Sequence, residues 1–258
     1  MSYEVAGDGD LVVMVMGTGS PGRVWKLHQV PALVAAGFRV VTFDSRGIGA
    51  SPPAGSGLTI DDLVGDVASL IEHLGGGPAH VVGTSLGARV VQELALARPE
   101  LVGKVVAMAA HARLDPVQSM FTSGQQALFD QGVTLPPAYH SAVTAVLNLS
   151  PATLRDEKAA RDWLDVLEFS AGPMSAGERA QLAVSTQLRD RRDAYRDIRA
   201  PLLVVGFADD VMIPCALSRE VADVVPGARY SEIPDTGHFG YLERPGEVNR
   251  LLVEFLGS

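Results

Sequence analysis

A single cysteine, Cys215, stands in this chain of 258 residues, so no internal disulfide can form and no thiolate cluster can hold a metal. Positive charge is short as well. The 21 Lys and Arg are outnumbered by 30 Asp and Glu, which leaves a formal net charge of -9 and a pI near 5.1. That balance argues against nucleic acid or an anionic membrane surface as the main partner and favours a small-molecule substrate. No run reaches the roughly 18 consecutive apolar residues of a membrane span. The opening MSYEVAGDGD lacks the basic and apolar regions of a secretion signal. The expectation is a soluble cytoplasmic protein that needs no cofactor or metal.

What the chain does contain is apolar residues, 47% of the total, enough for one large α/β domain carrying an insertion. Leu11 to Met16, FRVVTFD, His80 to Val82 and KVVAMAA read as strands buried on both faces, with helical patterns between them. One helix is expected from about Val24 to Ala36. Another follows Thr59 and Asp62, which have capping-box spacing with Asp in place of Glu. The rhythm of strand and helix implies a mostly parallel sheet. Strand signals stop between His111 and about Ile198, where amphipathic pieces at 117–131, 139–149, 153–169 and 175–188 predict a helical insertion. PLLVVGFADD and RYSEIPD then resume the sheet, and a terminal helix carries Val248, Leu251, Leu252 and Phe255 on one face. The expected division is 1–110 with 199–258 as core and 111–198 as a helical cap.

The chemistry centres on VVGTSLGARVV, where Gly83, Ser85 and Gly87 make a G-x-S-x-G between a strand and a helix. So tight a turn strains the serine backbone and lifts its hydroxyl clear of the sheet, while side chains at either glycine would collide where strand and helix approach. A serine hydroxyl is a poor nucleophile at neutral pH and needs an imidazole to take its proton. His238, after the last strand, is the candidate; His111, at a strand end, is a candidate pocket residue. An acid must orient that imidazole, and Asp209 and Asp210 both qualify by position. An oxyanion would need backbone N–H donors, one of them from Leu86, directly after the serine.

MGTGSPGRVW, FDSRGIGAS, GTSLG, FADDVMIP and DTGHFGYLERP together resemble the α/β-hydrolase superfamily over nearly the whole chain outside the insertion. The resemblance implies that fold, a nucleophile at Ser85 and a histidine at His238. It places the acid four residues before a proline, which matches Asp210 against Pro214; Asp115 is a further candidate, because some members carry the acid after the preceding strand. The second oxyanion donor falls on Thr18, after Gly17, with Met16 where the family usually has histidine. Asp44 and Arg46 fall in a segment that fixes loop geometry. Gly17, His111, Met120, Phe121, Trp163 and Phe239 are candidate pocket residues.

The expected activity is a serine hydrolase acting on an ester, thioester or lactone of a small, largely apolar molecule through a Ser85 acyl-enzyme. The alternative is a lyase, cyclase or C–C bond enzyme using the same residues for proton transfer. The N-terminal stretch MGTGSPGRVWKLHQVPALVAAGFRVVTFDSRGIG is also similar to hydrolases of bacterial natural-product pathways, which would make the substrate a biosynthetic intermediate.

Overall fold

In the computed structural model, which describes Met1–Ser258, the apolar runs form the middle of one sheet. Seven strands lie in the order β1 (Tyr3–Ala6), β3 (Arg39–Phe43), β2 (Leu11–Val15), β4 (Ala79–Thr84), β5 (Val102–Met108), β6 (Leu202–Phe207) and β7 (Arg229–Ile233). Every neighbouring pair is parallel except β1 with β3. β1 carries no strand signal in sequence because three of its four residues are exposed on the sheet edge.

Side chains alternate across a strand, so each face of the sheet builds its own core. Val13, Val15, Val41 and Phe43 pack beneath α2 (Ile60–His73) and α3 (Leu86–Ala97). Val12, Met14 and Val40 meet Trp25, Leu33 and Leu252 under α1 (Gln29–Ala35) and the terminal α12 (Pro245–Leu256). Thr59 and Asp62 complete the expected capping box at the start of α2, each side chain accepting the other's backbone N–H. The helix expected over 24–36 is two pieces, a 3-10 turn at Gly22–Leu27 and then α1, with His28 between them off helical angles. Pro31 has no N–H to bond back into the preceding turn and fits only the first turn of a helix, so α1 begins just before it.

Between β5 and β6 there are helices alone: α4 (Pro116–Asp130), α5 (Pro137–Asn148), α6 (Pro151–Arg155), α7 (Glu157–Ser170), α8 (Ala176–Gln187) and α9 (Arg192–Tyr195). The single helix expected over 153–169 is broken at Asp156. Its carboxylate accepts the amides of Lys158 and Ala159 at 3.0 Å each, which starts α7 afresh. After β6 come α10 (Cys215–Val224), β7, α11 (Gly240–Glu243) and α12. No helix is long and apolar enough to cross a membrane.

The strand order fixes where a site can form. From β2 the chain moves outward to β3, then crosses to β4 on the other side of β2. The loops after β2 and β4 therefore leave the sheet in opposite directions and open a crevice at its carboxyl edge, the usual binding position in open α/β sheets.

Candidate active site

Ser85 sits in that crevice between β4 and α3, with φ 56° and ψ -119°. A non-glycine residue in this region costs about 1–3 kcal/mol and persists only where its surroundings enforce it. The enforcement is visible: the Ser85 amide donates to the Met108 carbonyl of β5 at 3.0 Å, and the Ser85 carbonyl accepts the Arg89 amide at 3.2 Å. A methyl group at Gly83 would fall on the Gly87 carbonyl, and one at Gly87 on the Val15 carbonyl. Both glycines are thus required by the close approach of β4, α3 and β2.

Asp210 lies on the loop after β6 and His238 on the loop after β7. His238 Nδ1 stands 2.7 Å from Asp210 Oδ2, and the aspartate side chain is fully buried. Asp210 Oδ1 accepts the amides of Met212 and Ile213, each at 2.8 Å, so one oxygen fixes the carboxylate and the other is left to the imidazole. Asp209 is half-buried, and its amide donates to the Thr236 carbonyl at 2.8 Å; its carboxylate does not reach the ring. Asp115 caps α4 by accepting the Gln118 amide at 2.7 Å. Ser85 and His238 line one cavity. A buried carboxylate behind Nδ1 leaves Nε2 to exchange a proton with a group in that cavity.

The loop after β2 lies directly against the serine. A methyl group at Gly17 would come 3.2 Å from Ser85 Cβ and 3.4 Å from the Thr84 carbonyl oxygen. Thr18 and Leu86 both line the cavity, and Leu86 is the first residue of α3, where amides have no partner within the helix. The loop is held from outside by Gly19 N–H to Gln181 Oε1 and Gly22 N–H to Asp44 Oδ1, both 2.8 Å. Asp44 also accepts the Ala50 amide at 3.0 Å, and Arg46 makes a two-pronged ion pair with Asp66. Both side chains hold loops and stand outside the cavity lining.

The cavity measures about 1080 Å³, at or above the upper end of ordinary small-molecule sites. Gly17, His111, Met120, Phe121 and Phe239 line it. Trp163 corrects the sequence reading: from α7 it stacks on Phe239 at 6.3 Å between ring centroids and takes no part in the lining. Met120 is 76% exposed and Tyr139 59%, so the α4 and α5 side of the cavity opens to water. His111 is 4% exposed and neither ring nitrogen has a partner. Burial, reinforced by the Arg89 and His238 charges, holds its pKa down to about 3, so the ring is neutral. No group of three or more His, Cys, Asp or Glu side chains is gathered that could hold a metal.

Two supports of the site give no sequence signal. Glu243 of α11 accepts the Gly237 amide at 2.6 Å through one oxygen and the Ser150 amide at 2.9 Å through the other, tying the His238 loop to the start of α6. Behind the elbow, Glu93 receives two bonds from Arg191, at 3.0 and 2.8 Å, and one from the Tyr195 hydroxyl at 2.9 Å. Arg89 lies 3.2 Å from Glu93 and donates to the carbonyls of His111 and Arg189. Each is a charged residue on a helix, which in sequence reads as solvated surface.

The profile of the Alpha/beta hydrolase family matches residues 12–251. A Mycobacterium tuberculosis protein named "Putative non-heme bromoperoxidase BpoC" is 47% identical over 260 residues, covering 100% of this chain and 98% of that protein. Its crystal structure matches with a TM-score of 0.95 and covers 99% of this chain and 95% of that one. A Variovorax paradoxus protein named "Putative carbamate hydrolase RutD" is 31% identical over 261 residues, 99% of this chain and 96% of that protein. The pyrrolizixenacetamide deacetylase of Xenorhabdus hominickii is 28% identical over 260 residues, 100% of this chain and 95% of that protein. With the strand order, the strained serine and the buried carboxylate–imidazole pair, these matches establish that the chain belongs to the alpha/beta hydrolase family.

Proposed function

We propose that the chain hydrolyses an ester, thioester or lactone through an acyl-enzyme on Ser85, with His238 as general base and acid and Asp210 holding the imidazole. The observation that carries this reading is the 2.7 Å contact between His238 Nδ1 and buried Asp210, beside a cavity that Ser85 also lines. As the serine oxygen attacks the substrate carbonyl, Nε2 takes its proton, and the carboxylate stabilises the imidazolium that forms. The Leu86 and Thr18 amides are the proposed donors to the oxyanion, ready before the reaction and so needing no reorganisation. The imidazolium returns its proton to the leaving group, and a water entering past Met120 and Tyr139 repeats the sequence to release the acid. Residues 111–198 act as a cap whose apolar side chains, Met120 and Phe121 among them, receive the acyl or alcohol portion.

Carbamate hydrolysis and deacetylation, the activities in the names of two relatives, also proceed by attack on an acyl carbon, which supports acyl transfer over the lyase alternative. The test is labelling by a fluorophosphonate together with mass spectrometry after mixing with a panel of p-nitrophenyl esters, thioesters and lactones. A transient adduct on Ser85 is expected, and Ser85→Ala should lower turnover by roughly 10⁴-fold or more. Near wild-type turnover in that variant rejects the acyl-enzyme.

A further inference from the structure

Ester cleavage by Ser85, His238 and Asp210 makes no use of Glu178, yet Glu178 lines the same cavity. It stands three residues after Ser175, the spacing at which a glutamate normally reaches back to the amide of the capping residue. Only half of that arrangement forms. Ser175 Oγ accepts the Glu178 amide at 3.0 Å, whereas no hydrogen bond of normal geometry runs from the Ser175 amide to the carboxylate. The side chain lies instead along the loop after β2: a Cβ on Gly19 would sit 3.0 Å from Glu178 Cγ, 3.1 Å from Cδ and 3.3 Å from Oε1. The carboxylate is thus next door to Thr18.

The lining contains no lysine or arginine, and Glu178 is its one carboxylate. Burial raises its pKa above the usual range, and the nearby Ser175 amide and His140 offset part of the effect. Three further side chains in the lining carry polar atoms without partners: Thr84 at Oγ1, His140 at Nδ1 and His111 at both ring nitrogens. His111 stays neutral, so it sets no positive charge against the glutamate. A carboxylate that loses water with no lysine or arginine facing it is costly. A ligand cation relieves that cost, a neutral ligand relieves it only in part, and an anion increases it.

We infer that Glu178 is the specificity residue of this cavity and receives a protonated amine carried by the substrate. The amine end runs toward α8 while the acyl carbon lies at Ser85; the inference rests on the acyl-transfer reading for that orientation. The sequence spacing hides the role, since Ser175-x-x-Glu178 reads as a helix cap.

The experiment compares p-nitrophenyl ω-aminoalkanoates with alkanoates and ω-hydroxyalkanoates of matched length, in wild type and in Glu178→Gln. In wild type, kcat/KM should favour the ammonium ester by about tenfold or more over both neutral esters, as for a hydrogen bond between charged groups. In Glu178→Gln that ratio should fall to within about twofold of unity; a ratio between esters cancels any general damage to the fold. In parallel, hexylammonium and 1-hexanol are titrated into both proteins by calorimetry, a binding readout that needs no ester turnover. Glu178-dependent preference for hexylammonium without ester cleavage would sustain this inference and reject the hydrolytic reading. Equal wild-type handling of ammonium and neutral ligands, an equal gain from the hydroxyl ester, or a preference that survives in Glu178→Gln would each overturn it.

Discussion

Replacing Asp210 by asparagine tests the carboxylate–imidazole pair with little change of shape. In the native chain Oδ1 accepts the Met212 and Ile213 amides at 2.8 Å each, while Oδ2 faces His238 Nδ1 at 2.7 Å. In Asp210→Asn the amide oxygen must stay with the two backbone donors, because the reverse rotamer would point an NH2 group at two N–H groups. The NH2 group therefore faces Nδ1, which has to become an acceptor, and the ring proton moves to Nε2. That nitrogen can then no longer take a proton from Ser85. The expected loss is about 10⁴-fold in kcat, by analogy with the same change in a serine protease triad, or about 5.4 kcal/mol in barrier height. Asp209→Asn should cost less than about tenfold, because that side chain does not reach the ring. Steady-state hydrolysis of a p-nitrophenyl ester measures both variants, with thermal melts to establish that each is folded. Equal losses at the two positions, or a loss below tenfold for Asp210→Asn, would refute the reasoning.

Two further outcomes follow from the groups behind the site. Glu93→Leu leaves Arg89, 1% exposed, without its carboxylate, and should lower unfolding stability by about 3–5 kcal/mol in urea titrations. Arg191→Met should cost less, since that side chain is 35% exposed and Glu93 keeps Arg89 beside it; the opposite ranking would contradict this account. His111 concerns pH. Its pKa is about 3 in the folded chain against an ordinary 6.5, so below pH 6.5 the unfolded chain binds a proton that the folded chain refuses. The stability it contributes is complete above 6.5 and is lost as pH falls toward 3. His111→Leu removes that part of the loss, and urea midpoints at about pH 7 and about pH 4 should fall less steeply in the variant than in wild type; parallel slopes would refute the assignment.

The features legible in the sequence are those whose causes are local. Gly83, Ser85 and Gly87 impose a turn that depends on their own backbone freedom, and Thr59 with Asp62 makes a cap within one helical turn. The apolar runs that became β2 to β6 announce strands because burial on both faces leaves no room for polar residues. The order of serine, acid and histidine belongs to the chain itself. Position alone leaves Asp209 and Asp210 level, and the four-residue spacing to Pro214 separates them only through the resemblance to the α/β-hydrolase superfamily.

Burial, partners and cavity walls were decided by segments far apart in the chain, and no local pattern encodes them. Trp163 and Met120 are both large apolar residues on helices, yet one stacks behind Phe239 and the other lines the cavity. Gln181 reaches Gly19 across 162 positions, and Glu243 binds Ser150 across 93. His111 becomes a neutral, unpartnered group only because β5 ends beneath the helices and beside Arg89. Glu178 carries the same spacing as a helix cap whether or not a cavity adjoins it, and only the approach of the loop after β2 gives its carboxylate somewhere else to lie. Sequence sets backbone geometry through neighbours one turn away, whereas the electrostatics of the site arise from desolvation, which exists only once distant elements have packed.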